Sequence, residues 1–133
     1  MLRTIMRVTA GLALAAVVLS VRAEDAVEHK NSLFDHAKIT VNERAQGNGF
    51  LRVRLLPENG EMREASIDVH KRMSENDIAK TLAAALKTAV GADYEIDRDA
   101  GEHVKIRKAK RDAPDFSLEI TFSAPGFSII LDD

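Results

Sequence analysis

Ser74–Gly91 reads SENDIAKTLAAALKTAVG, and here the apolar residues begin to recur every three to four positions. Ile78, Leu82, Ala85, Leu86 and Ala89 fall on one stripe, with Asn76, Lys80, Ala84 and Lys87 facing away. Ser74 suits an N-cap, because its hydroxyl can accept from an unpaired first-turn amide. Asp77 places negative charge where the helix dipole favours it, and Gly91 marks the C-terminal stop. The stretch therefore predicts one amphipathic helix of about four turns that covers a sheet.

On both sides of this helix the period is two. Ile39 and Val41 alternate with Lys38, Thr40 and Asn42. Leu51, Val53 and Leu55 share a face opposite Arg52 and Arg54, and Ala65, Ile67 and Val69 repeat the pattern after Pro57–Gly60. Parity limits how these strands can pair, since a one-residue slip would turn apolar side chains to the wrong face. A three-residue loop at Glu58-Asn59-Gly60 sets Val53 against Ala65, Leu51 against Ile67 and Arg54 against Glu64, with Gly60 as the left-handed residue; a five-residue loop also satisfies parity.

Beyond the helix, Tyr94 and Ile96 alternate with Asp93, Glu95 and Asp97, and Val104 and Ile106 alternate with His103, Lys105 and Arg107. A loop at Asp99-Ala100-Gly101 pairs Ile96 with Val104 and Tyr94 with Ile106. The opposite face then carries a charge ladder of Asp97 with His103, Glu95 with Lys105 and Asp93 with Arg107. In the last hairpin, Phe122 is expected opposite Phe127, Ile120 opposite Ile129 and Leu118 opposite Leu131. Asp132 and Asp133 add charge to an otherwise aggregation-prone end. The fold class is α+β: about six or seven antiparallel strands, ordered β-β-β-α-β-β-β-β, packed on or wrapping one helix.

Met1–Ala23 has the layout of a secretory signal peptide. Arg3 and Arg7 precede an apolar run from Val8 to Ser20, and Val21-Arg22-Ala23 suits cleavage after Ala23. The run is about 13 residues, against roughly 20 for a membrane span, so a cleaved signal is expected, leaving no stable membrane anchor. Arg7 is followed by Val8, so the chain lacks a twin-arginine pair and general secretion to the periplasm or medium is expected. Residues 24–37 read as a flexible lead-in that docks through Phe34 or forms a short helix, and residues 38–133 as one domain.

Cleavage changes the charge. Arg3, Arg7 and Arg22 leave with the signal, so 19 basic residues fall to 16 against 21 acidic ones, a net charge near −5. Such a balance, with one tyrosine and no tryptophan, argues against nucleic acid as a partner. The absence of cysteine excludes disulfides, thiol nucleophiles, thiolate zinc sites and lipidation of an N-terminal cysteine.

Ser74-Glu75-Asn76-Asp77-Ile78-Ala79, Leu82-Ala83-Ala84-Ala85-Leu86, Tyr94-x-Ile96, Gly101-x-x-Val104-x-Ile106 and Phe116-x-Leu118-x-Ile120 together resemble a helix-then-hairpins module. Such modules occur in phage tail and baseplate proteins and in bacterial surface repeats. The resemblance spans Ser74 to about Thr121 and implies a structural or adhesive role with no catalytic site. The chain departs from such modules in its signal peptide, its single copy and a basic run where they carry a glycine-containing turn.

Lys105–Arg111 holds five basic residues in seven. With Lys105 and Arg107 in the ladder, Lys108, Lys110 and Arg111 remain as contacts for an anionic envelope polymer or acidic protein, or as a solvated turn neutralised by Asp112 and Asp115. Asp93, Glu95 and Asp97 could serve acid–base or calcium chemistry, but lack a calcium-loop pattern. His29 and His36 would meet on one face if the lead-in were helical, without a third ligand at a zinc spacing. There is no Gly-x-Ser-x-Gly, Ser-x-x-Lys or Walker pattern, and Gly47-x-Gly49 precedes no helix. Three readings result: an exported non-catalytic domain that binds a protein or polymer through an exposed sheet edge or the Lys108–Arg111 loop, a self-associating structural or adhesin-like module, or an envelope hydrolase with a polar pocket around His70 or His103. No cofactor or metal is implied.

Overall fold

The computed structural model describes residues 33–133, together with the backbone of two short strands, β1 (Ala16–Leu19) and β2 (Ala26–His29). The signal-peptide expectation otherwise lies outside the described residues, as do residues 24–25 and 30–32 of the lead-in. From residue 33 on, the order is β3 (His36–Asn42), β4 (Gly49–Pro57), β5 (Arg63–Val69), α1 (Glu75–Val90), β6 (Tyr94–Asp99), β7 (His103–Lys108), β8 (Phe116–Phe122) and β9 (Ser128–Asp132). The class is α+β and the seven strands and single helix occur in the expected order.

The strands divide between two antiparallel sheets instead of forming one. The first runs β1-β9-β3-β7-β6 and the second β2-β8-β4-β5. Their inner faces and the apolar side of α1 enclose a single core. The helix lies against β5 and β6, the far edge strand of each sheet. At the opposite side the edge strands are the short β1 and β2, which cover β9 and β8 respectively.

α1 forms where the 3.6 period predicts it. Ser74 is the N-cap, its Oγ accepting from the Asp77 amide at 3.1 Å, and Gly91 ends the helix at φ +72°. Ile78, Ala79, Leu82, Ala83, Leu86 and Val90 are buried, whereas Ala85 and Ala89 are only partly covered. The buried stripe is thus rotated towards Ala79 and Ala83, because the helix touches both sheets and not a single face.

The β4–β5 hairpin has the expected register, with Val53 opposite Ala65, Leu51 opposite Ile67 and Arg54 opposite Glu64. Its left-handed residue is Asn59 (φ +62°) and not Gly60. The Gly60 amide donates to the Pro57 carbonyl at 3.0 Å, which makes Asn59 the third residue of the turn. A Cβ at Gly60 would lie 2.9 Å from the Pro57 Cβ, so glycine is needed there for closeness.

The β6–β7 register is shifted by two residues from the expectation. Ile96 faces Ile106, Glu95 faces Arg107, Asp97 faces Lys105 and Asp99 faces His103. A two-residue slip preserves both the apolar face and the alternation of charge, so parity cannot detect it. The turn decides: Ala100 and Gly101 are both left-handed (φ +53° and +78°), moving the loop one residue along the chain. The ladder survives with new partners. Arg107 Nε lies 3.0 Å from Glu95, its Nη2 2.9 Å from Asp97, and Lys105 Nζ 3.3 Å from Asp99.

The last two strands are the main departure. β8 pairs with β4 and β2, β9 pairs with β3 and β1, and the two do not pair with each other. Ser123–Phe127 therefore crosses between sheets. Phe122 and Phe127 still stack, with ring centroids 4.8 Å apart, but across the core instead of along a hairpin.

The lead-in is not helical where it is described. Phe34 bridges Phe116 through two backbone hydrogen bonds of 2.7 and 3.0 Å, and β3 begins at His36. Phe116 also receives the edge of Tyr94 at 5.3 Å. Tyr94, the only tyrosine in the chain, donates its hydroxyl to the Pro114 carbonyl at 2.6 Å. Burial first, then the charges of Asp93 and Asp115, raise its pKa, with Arg63 opposing. The folded state thus favours the neutral phenol. That stabilisation is complete below the unfolded value of about 10 and is lost as pH rises through the folded one. Alkaline titration of phenolate absorbance should show a higher midpoint for the folded chain than for the chain in urea; coincident midpoints would contradict the burial.

Candidate interaction surfaces

The basic loop is largely neutralised. Lys108 pairs with Asp115, and Lys110 Nζ lies 3.4 Å from Asp93. Arg111 is exposed and makes no ion pair among the described residues. The Lys108 side chain is only 24% exposed. Of the three residues singled out, only Arg111 presents an uncompensated charge, in a turn held by the Ala109 amide on the Asp93 carbonyl and the Ala113 amide on the Lys110 carbonyl.

The outer face of the second sheet carries another charge network. Arg54 reaches Glu64 at 3.0 Å and Glu119 at 3.2 Å, and the Arg52 guanidinium stacks 4.9 Å above the Phe50 ring. The hydrogen bond to Glu64 leads in raising the Arg54 pKa, which keeps an already permanent cation charged. Exposed pairs of this kind are screened by solvent and fix orientation more than stability.

The histidines are dispersed. His29 closes β2 in one sheet and His36 opens β3 in the other, so no helix face joins them. His36 Nδ1 contacts Asp35 at 2.8 Å. His103 contacts the Thr40 hydroxyl at 2.8 Å, in place of the expected Asp97. Thr40 is buried on the outer face of its sheet, between the core residues Ile39 and Val41, and this bond satisfies its hydroxyl. His70 is exposed after β5. Among the described residues no group of three or more histidines and carboxylates could hold a metal ion, and no helix is long and apolar enough to cross a membrane.

A shallow depression of about 100 Å³ is lined by Arg54, Leu56, Met62, Ser117, Leu118 and Glu119. It holds neither His70 nor His103, the groups a hydrolase reading placed in a polar cleft. Of its lining residues, Leu56 and Met62 are each about half exposed.

The sheet edges remain. β5 and β6 are shielded by α1. On β8 sits β2, with Ala26 opposite Phe122, Val27 opposite Thr121, Glu28 opposite Ile120 and His29 opposite Glu119. On β9 sits β1, with Ala16 opposite Asp132, Val17 opposite Leu131, Val18 opposite Ile130 and Leu19 opposite Ile129. Sequence reasoning anticipated an exposed sheet edge but not which strand forms it, because locating an edge requires the order of strands in the sheet. Its only local signal is the apolar run Ile129-Ile130-Leu131.

Compared with known proteins, the chain matches no family model, and no curated protein or solved structure was found to match it.

Proposed function

We propose that this protein is a small exported, non-catalytic interaction domain, cut after Ala23, that engages its partner by strand addition along β9. The observation that carries this reading is the strand seated on that edge. β1, residues 16–19, lies within the segment that cleavage would remove, whereas β2, residues 26–29, lies beyond it. Processing would leave β8 covered and the backbone donors and acceptors of β9 open. An open edge of this kind is a ready template for another strand. The neutralisation of Lys108 and Lys110 favours the edge over the basic loop. The resemblance of Ser74–Thr121 to structural and adhesive modules supports the non-catalytic part of this reading.

Expressing the full chain in a bacterial host and sequencing the product from its envelope fraction tests the reading. The expected N-terminus is Glu24. An intact Met1 terminus confined to the cytosol would overturn it. Reversing charge at Lys108, Lys110 and Arg111 together should leave cross-linked partner species unchanged in the envelope; their loss would move the contact to the basic loop.

A further inference from the structure

Resting on that reading of export and cleavage, we infer that the partner seated on β9 is the β9 strand of a second copy of this chain. The occupant present in the full-length chain shows what the edge accepts: Val17, Val18 and Leu19 lie antiparallel to Leu131, Ile130 and Ile129. An antiparallel pair of β9 strands with a two-fold axis at Ile130 puts Ile129, Ile130 and Leu131 of the second copy in those same three places. Val-Val-Leu is replaced by Ile-Ile-Leu, aliphatic for aliphatic at every position, with leucine kept at the third. A two-fold contact of this kind is isologous and closes on itself, giving a dimer and not a fibre.

The flanking residues fit as well. The axis sets Asp132 of each copy across from Ser128 of the other, a carboxylate facing a hydroxyl that can donate to it. On its other side Asp132 faces Lys38 of its own sheet. The two Asp132 residues are then four strand positions apart, roughly 13 Å at the strand rise, which exceeds the screening length of about 8 Å in physiological salt. Ile129 and Leu131 already point into the core, while Ile130 is half-buried on the outer face beside Thr40. Residue 130 is therefore both on the axis and outward-facing, so a substitution there alters the contact without opening the core.

Sedimentation of the exported protein at roughly 100 µM, a concentration that populates even small transient interfaces, should give twice the mass of one processed chain. Ile130→Lys and Ile130→Glu should each sediment as single chains, because residue 130 would meet its own charge. Mixed in equal amounts, the two variants should recover the doubled mass, since lysine then meets glutamate. Far-ultraviolet circular dichroism of each variant checks that the fold is kept. A Glu24 terminus with a single-chain mass would overturn the dimer while leaving the export reading intact. A Met1 terminus would remove the premise itself. Dimers unaffected by either variant, or single variants that fail to re-pair on mixing, would place the contact elsewhere and also contradict the inference.

Discussion

Phe122→Ala is expected to lower the free energy of unfolding by about 3–5 kcal/mol, a large share of the roughly 5–15 kcal/mol that holds a domain of this size together. Phe122 is fully buried, opposite Leu51 of β4 in its own sheet and stacked on Phe127 at 4.8 Å. Because β8 and β9 belong to different sheets, this aromatic pair ties the sandwich together where the chain crosses over. Truncation removes apolar surface and leaves a cavity whose walls are anchored in two separate ladders, which restricts collapse. Equilibrium denaturation in urea measures the effect. Phe122→Leu, which retains most of the volume, should cost markedly less. A loss below about 1 kcal/mol for the alanine variant would contradict the packing described for the crossover.

Gly126→Ala should destabilise by about 2–4 kcal/mol, although it adds a single methyl group. Gly126 sits at φ +104°, where an L side chain is strained. A Cβ there would lie 2.6 Å from the Gln46 amide nitrogen and 2.8 Å from the Arg44 carbonyl oxygen. Those atoms belong to the β3–β4 loop, which the neighbouring Pro125 carbonyl holds by accepting from the Gln46 amide at 2.8 Å. Strain and displaced backbone therefore add. Thermal or urea unfolding should show the loss, and a stability equal to the parent would mean that the two loops do not meet so closely.

These two sites also mark where sequence stops being sufficient. The ends of α1 were legible, since Ser74 acts through bonds within four residues of itself and Gly91 through its own positive φ. The β4–β5 register was legible because parity and one charged pair, Arg54 with Glu64, favour the same pairing. The β6–β7 register was not, because the two-residue shift keeps acids opposite bases; the choice rests on Ala100 entering the left-handed region. The separation of β8 from β9 was beyond local pattern. Their apolar residues face the same core in either arrangement, and the deciding contacts come from β3 and β4, more than sixty residues earlier.

The candidate surfaces follow the same division. Asp115 was legible as a neutralising neighbour of the basic loop because it is close in sequence. Asp93, the partner of Lys110, was assigned to Arg107 instead, an error inherited from the two-residue register shift. The edge of β9 became visible only once strand order placed it next to the end of a sheet, covered only by the short β1 from the opposite terminus of the chain.

Amide hydrogen exchange along Ser128–Asp132 in the processed, exported chain tests the central claim most directly. If β9 is an open edge that pairs with a second copy, its outward-facing amides will exchange rapidly in dilute protein. They will gain protection as concentration rises, while the amides bonded to β3 stay protected throughout. Protection in β9 that is already complete in dilute solution, or that never changes with concentration, would contradict it.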